Sequence, residues 1–207
     1  MEDYRMLIWN AEDPAIKTMI EPFGYTTEKL DEGKSLFAEV ETLAENQRME
    51  YAEQYNATSL FVEKRQEAED KINAMRKFVK FALRNIPEAS NILLYSNVLP
   101  TSFSDWQQTI KSFYERLTEH PDWITLLAPF GVTAEIITQN LADIEVLKTL
   151  QETRQRETGD AQRATQQRNA KFEDLQVWYG DLRELAKILF VGADAQYLEK
   201  LGIIVKS

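Results

Sequence analysis

Apolar residues recur at spacings of three and four along most of this chain, the period of an amphipathic helix. Leu30, Leu36, Phe37, Val40, Leu43 and Ala44 form one such stripe, and Phe61, Ala68, Ile72, Met75, Val79, Ala82 and Ile86 form the next. Further on, Ile136, Ile137, Leu141, Ile144, Leu147 and Leu150 repeat the first pattern. Phe172, Leu175, Tyr179, Leu182, Leu185, Ala186 and Leu189 repeat the second. The pattern predicts helices from Thr26 to about Gln54 and from about Ala57 to Ile86, with a matching pair in the second half that turns near Gly159-Asp160. A helix of about 29 residues is roughly 43 Å long.

The punctuation between the stripes recurs as well. Pro14, Thr18, Pro22-Phe23-Gly24, Thr26 and Glu28 reappear 107 residues later as Pro121, Thr125, Pro129-Phe130-Gly131, Thr133 and Glu135. Between residues 13–86 and 120–193 there are 16 identities in 74 ungapped pairs, and 7 of them fall within the 15 positions from Pro14 to Glu28. Identity so concentrated at a fixed offset is the mark of a duplicated unit. Asp13 and His120 stand where a side chain can cap a helix that opens on proline. A short helix of about ten residues then runs to Phe23 or Phe130, Gly24 or Gly131 ends it in the left-handed conformation, and Thr26 or Thr133 caps the next. Another helix begins at Ser104-Asp105 and carries Trp106, Ile110, Phe113 and Leu117.

Each hairpin of two long helices would expose an apolar face that it cannot cover alone, so two of them should pair. The expected fold is all-α: an elongated four-helix bundle built from two tandem helical-hairpin repeats (about 13–99 and 120–205), related by a pseudo-two-fold axis. Short helices would cap it. Residues 87–104 join the halves and carry Ile92, Leu93, Leu94, Tyr95, Val98 and Leu99, more apolar than a free linker. A single helical domain over 1–207 is therefore expected in place of two separate ones.

Composition narrows the function classes. The 207 residues include no cysteine, which excludes disulfides, thiolate metal sites and a cysteine nucleophile. The sequence begins MEDYRMLIWN, unlike a secretory signal, and no run of apolar residues is long enough for a membrane span, so a soluble, cytoplasmic protein away from membranes is expected. Net charge is −10, with −6 in residues 1–100 and −4 in the rest, which argues against nucleic acid as a partner.

Candidate chemistry is sparse. His120, the only histidine, cannot supply the paired Glu-x-x-His motifs of a di-iron bundle and reads as a helix cap. The acid pairs, such as Glu63 with Glu67 and Glu173 with Asp174, lie off the apolar stripes and read as solvated faces. Lys71, Arg76, Lys77, Lys80 and Arg84 lie in a stretch without an acid, either an anion patch or cations suited to a helix C-terminus. From Gln151 to Lys171 the only apolar residues are Ala161, Ala164 and Ala170; Arg154, Arg156, Arg163 and Arg168 make this stretch the candidate partner surface. No metal ligand set, cofactor motif or catalytic constellation is evident.

The expected role is a non-enzymatic interaction or structural scaffold, with a protein partner or self-association. The alternative is a small-ligand-binding protein or enzyme with its site among the aromatic capping helices. Trp106, Phe113, Tyr114 and Trp123, with Trp9, could line such a site, and Glu28 or Glu135 could take part.

Overall fold

No proline falls between Thr27 and Ala82 or between Ala134 and Leu189, and Glu, Gln, Ala, Lys, Arg and Leu fill both intervals. Such a chain has little reason to stop being helical. In the computed structural model, which describes residues 1–204, each interval is one helix of 56 residues: α3 (Thr27–Ala82) and α7 (Ala134–Leu189). Six shorter helices accompany them: α1 (Glu2–Asn10), α2 (Pro14–Ile20), α4 (Pro87–Leu93), α5 (Phe103–Thr118), α6 (Pro121–Leu127) and α8 (Gln196–Lys200). The class is all-α, with no strand among the described residues.

The continuity of α3 and α7 corrects the expectation of four long helices in two hairpins. The chain does not turn near Gln54–Ala57, nor at Gly159-Asp160. One glycine costs a helix interior only about 1 kcal/mol, too little to break a run of strong helix formers. Nor does the first half of either long helix fold back on its own second half. The beginning of α3 packs against the end of α7, and the end of α3 against the beginning of α7. The expected end of the second repeat, at 205, lies outside the described residues.

The fold divides into two compact units. One consists of Met1–Glu53 with the chain from Thr158 onward, hereafter the terminal unit. Its core joins Leu7 and Ile8 of α1, Ile16 and Ile20 of α2, Leu30 and Phe37 of α3, Trp178, Leu182 and Ala186 of α7, and Leu198 of α8. The other is Gln54–Glu157, the central unit. There Ile72, Met75 and Val79 of α3 meet Leu93 of α4, Trp106, Ile110 and Tyr114 of α5, Trp123 and Leu127 of α6, and Ile137 and Ile144 of α7. Each large apolar side chain so buried contributes roughly 1.5–3 kcal/mol. Leu93 is buried and Ile92, Tyr95 and Leu99 pack on the core, as the apolar character of that connection required.

The short helices sit where their breakers put them. α2 and α6 each open on proline and pass into a 3-10 turn, Glu21–Phe23 or Ala128–Phe130. Gly24 at φ 95° and Gly131 at φ 79° then take the left-handed conformation that glycine adopts without steric cost. The bounds of α2, its 3-10 turn and α3 differ from those of α6, its turn and α7 by 107 residues throughout. Smaller contacts follow the same offset: Thr18 Oγ1 donates to the Pro14 carbonyl at 2.7 Å, and Thr125 Oγ1 to that of Pro121 at 3.0 Å.

Candidate interaction surfaces

Within each unit the candidate arginines lie on different sides of α7. Arg154 and Arg156 belong to the central unit and lie about 200° apart around α7, on opposite sides, because a helix turns once in 3.6 residues. Arg154 is half-buried, its guanidinium 4.6 Å from the centre of the Phe61 ring, whereas Arg156 is exposed beside Glu157 at 3.1 Å. In the terminal unit, Arg163 and Arg168 are about 140° apart around the same helix. Arg163 pairs with Asp160 at 3.0 Å, and half-buried Arg168 lines a shallow cavity with Glu41, Glu45 and Phe172.

The alanine-rich stretch beside them is packed helix. Ala161 and Ala164 are buried, and the Gln47 amide donates to Thr165 Oγ1 at 2.9 Å. Small side chains let helix backbones approach closely, a kind of burial that a hydrophobic stripe of large residues does not reveal.

The aromatics of the capping helices serve mainly as core. Trp106, Tyr114 and Trp123 are buried in the central unit, and Phe113 is buried with one side on a cavity described below. Trp9 is in the terminal unit, partly exposed, edge-on to Phe37 with Arg5 over its ring. Burial pushes the Tyr114 hydroxyl well above the ordinary tyrosine pKa, although a hydrogen bond with Asn140 opposes the shift.

Glu28 and Glu135 are exposed helix-start carboxylates. Each is held below the usual carboxylate range chiefly by the neighbouring hydroxyl, Thr26 or Thr133, and then by its own backbone N–H. His120 departs from expectation. Asp13 caps α2 by accepting from the Ala15 N–H at 3.0 Å, but the His120 side chain makes no cap bond and instead stacks on Trp123, ring centres 3.7 Å apart.

The basic run 71–84 disperses over several tasks. Lys71 pairs with Asp143 at 2.7 Å, Arg76 donates to the carbonyls of Tyr95 and Asn97, and Arg84 lies over the Phe81 ring at 4.6 Å. Lys77 and Lys80 face solvent.

What the sequence reading missed is an aromatic patch beside that run. Phe130, in the 3-10 turn after α6, stacks on Phe78 at 5.9 Å and meets Phe81 edge-on at 5.6 Å. All three rings remain exposed, Phe81 at 56% and Phe130 at 37%. At the corresponding positions of the terminal unit stand Phe23, 58% exposed, and Ile188, 73% exposed. The signal was present, since Phe23 and Phe130 are identical residues of the recurring block and Phe78 and Phe81 widen the stripe of α3. No family model, curated protein or solved structure matches the chain.

Proposed function

We propose that the protein is a non-enzymatic structural scaffold, built from a duplicated helical unit, that assembles with further copies of itself through the exposed apolar patches of its two units. The observation that carries this reading is the cluster of touching, exposed rings Phe78, Phe81 and Phe130 in one unit, with exposed Phe23 and Ile188 at the positions matching Phe130 and Phe81 in the other. Single exposed apolar residues are ordinary; rings that touch one another and stay in solvent suit an interface.

Charge at the patch rims favours unlike contacts. The central patch is flanked by Lys77, Lys80 and Arg84. In the terminal unit Glu184 stands where Lys77 would be and pairs with Lys187, the match of Lys80, no cation matches Arg84, and Glu21 lies in the 3-10 turn, so only the central rim carries a clear excess of positive charge. A terminal patch on one molecule therefore complements a central patch on another better than either complements itself. Such a heterologous contact adds copies head to tail.

Sedimentation velocity tests this with two variants, Phe81→Ser with Phe130→Ser and Phe23→Ser with Ile188→Ser. The native chain should grow in mass with concentration and less so at high salt, and each variant alone should stay monomeric. An equimolar mixture of the two should form a dimer, because one intact patch of each kind remains. A native chain that is monomeric at every concentration overturns the reading.

A further inference from the structure

The connection from α4 to α5 forms one wall of a half-open cavity of about 350 Å³ in the central unit. That is the small end of the range for ligand sites. Ile72, Leu94, Ile110 and Phe113 give it apolar walls, and Arg76 and Arg116 line it as well. None of the residues lining it is acidic.

The company these two arginines keep sets them apart. Lys34, Lys71, Lys111, Lys171, Lys187 and Lys200 all pair with carboxylates. Arg76 instead donates from Nε to the Tyr95 carbonyl at 2.7 Å and from a terminal nitrogen to that of Asn97, and Arg116 donates to the Ile92 carbonyl at 2.8 Å. These neutral acceptors engage two donors of Arg76 and one of Arg116, where each guanidinium has five. Both arginines are half-buried, and burial alone draws the Arg76 pKa down. Two arginines beside a recess with no acidic lining residue are short of negative charge in a chain whose net charge is −10. Guanidinium groups match a carboxylate bidentately.

We propose that this cavity binds a small amphipathic acid, its carboxylate held by Arg116 and Arg76 and its apolar tail laid against Ile110 and Phe113. The proposal does not depend on self-assembly.

The test is calorimetric titration of the full chain with octanoate below its micellar concentration, beside octanol and acetate. Octanoate should bind saturably at one site, octanol at least tenfold more weakly, and acetate without saturation over the same range. Arg116→Gln, which loses a single carbonyl bond, should lower octanoate affinity at least tenfold while the melting temperature falls by no more than about 2–4 °C. If that variant fails to fold, Leu94→Asn serves in its place: Leu94 is exposed, at φ 49°, where asparagine is tolerated, and its loss should weaken octanoate at least threefold. No saturable octanoate binding by the native chain, equal binding of octanol, or native affinity in a folded Arg116→Gln variant would each overturn the proposal.

Discussion

The two units meet the same packing position with opposite solutions. In the terminal unit α3 presents Gly33 to the indole of Trp178 on α7, so close that a Cβ on Gly33 would lie 2.4 Å from the ring. The indole is buried, its Nε1 donates to the Lys29 carbonyl at 3.2 Å, and Tyr25 meets it edge-on. In the central unit the position matching Gly33 is Asn140, and the one matching Trp178 is Lys71. Asn140 is buried and bonds the Tyr114 hydroxyl, while Lys71 stays exposed and pairs with Asp143. The backbone bounds agree to the residue, so this geometry is set by helix length and punctuation and tolerates either a large ring on glycine or a polar contact with an ion pair outside it.

The contrast predicts unequal costs. Trp178→Ala should destabilise the protein by about 3–5 kcal/mol in urea unfolding, as truncation of a buried tryptophan does. Lys71→Ala, at the matching position, should change stability by no more than about 0.5 kcal/mol. Gly33→Ala should change sign with its partner. Opposite the intact indole it overpacks and should cost about 1–3 kcal/mol, but in the Trp178→Ala background it should gain about 1 kcal/mol from helix propensity. A double-mutant cycle measures this, and additive effects would break the comparison at its root.

On the central side, Asn140→Leu strands the buried Tyr114 hydroxyl and should cost about 1–3 kcal/mol. Adding Tyr114→Phe should recover much of that loss, since neither member of the pair is then left unpaired. The same tyrosine gives a pH test. Burial raises the folded pKa of Tyr114; it also raises that of Tyr25 to about 12, with Asp181 and Glu32 adding to the shift. An unfolded tyrosine ionises near pH 10. Above that pH the folded state holds more protons than the unfolded one, so this contribution is complete below about pH 10 and is lost as pH rises toward the folded values. Melting temperature should fall between about pH 10 and 12, and Tyr114→Phe should make that fall shallower.

These differences mark how far the sequence could be read. Helix class, the proline starts, the glycine stops and most of the buried stripe follow from local rules, because Pro14, Gly24, Pro121 and Gly131 act within a few residues of themselves. The continuity of α3 and α7 was not legible. Gly159-Asp160 looks like a turn to a reader who expects hairpins, yet the partner of each half-helix lies on the other long helix, 149 residues away for Trp178 and Lys29 and 72 for Lys71 and Asp143. The buried Ala161 and Ala164 were hidden because alanine signals neither core nor surface. The exposed ring cluster was hidden for the converse reason: Phe78 and Phe81 count toward a core stripe until the structure leaves them in solvent.

The smallest expected effect concerns the two helix starts, where Asp13 and His120 occupy matching positions. Asp13 caps α2 and also contacts Lys200, whereas His120 gives α6 a ring stacked on Trp123 and no cap bond. Asp13→Ala should lower the melting temperature by about 2–4 °C, and Asp13→Ser, which keeps a capping oxygen but not the charge pair, by clearly less. His120→Ala should cost less than Asp13→Ala, and His120→Asp should raise the melting temperature by about 1–2 °C by restoring the missing cap. If His120→Ala costs as much as Asp13→Ala, the stacked ring supports its helix start as well as a carboxylate does. The two starts would then be equivalent in strength by different means, as the Gly33–Trp178 and Asn140–Tyr114 contacts are not expected to be.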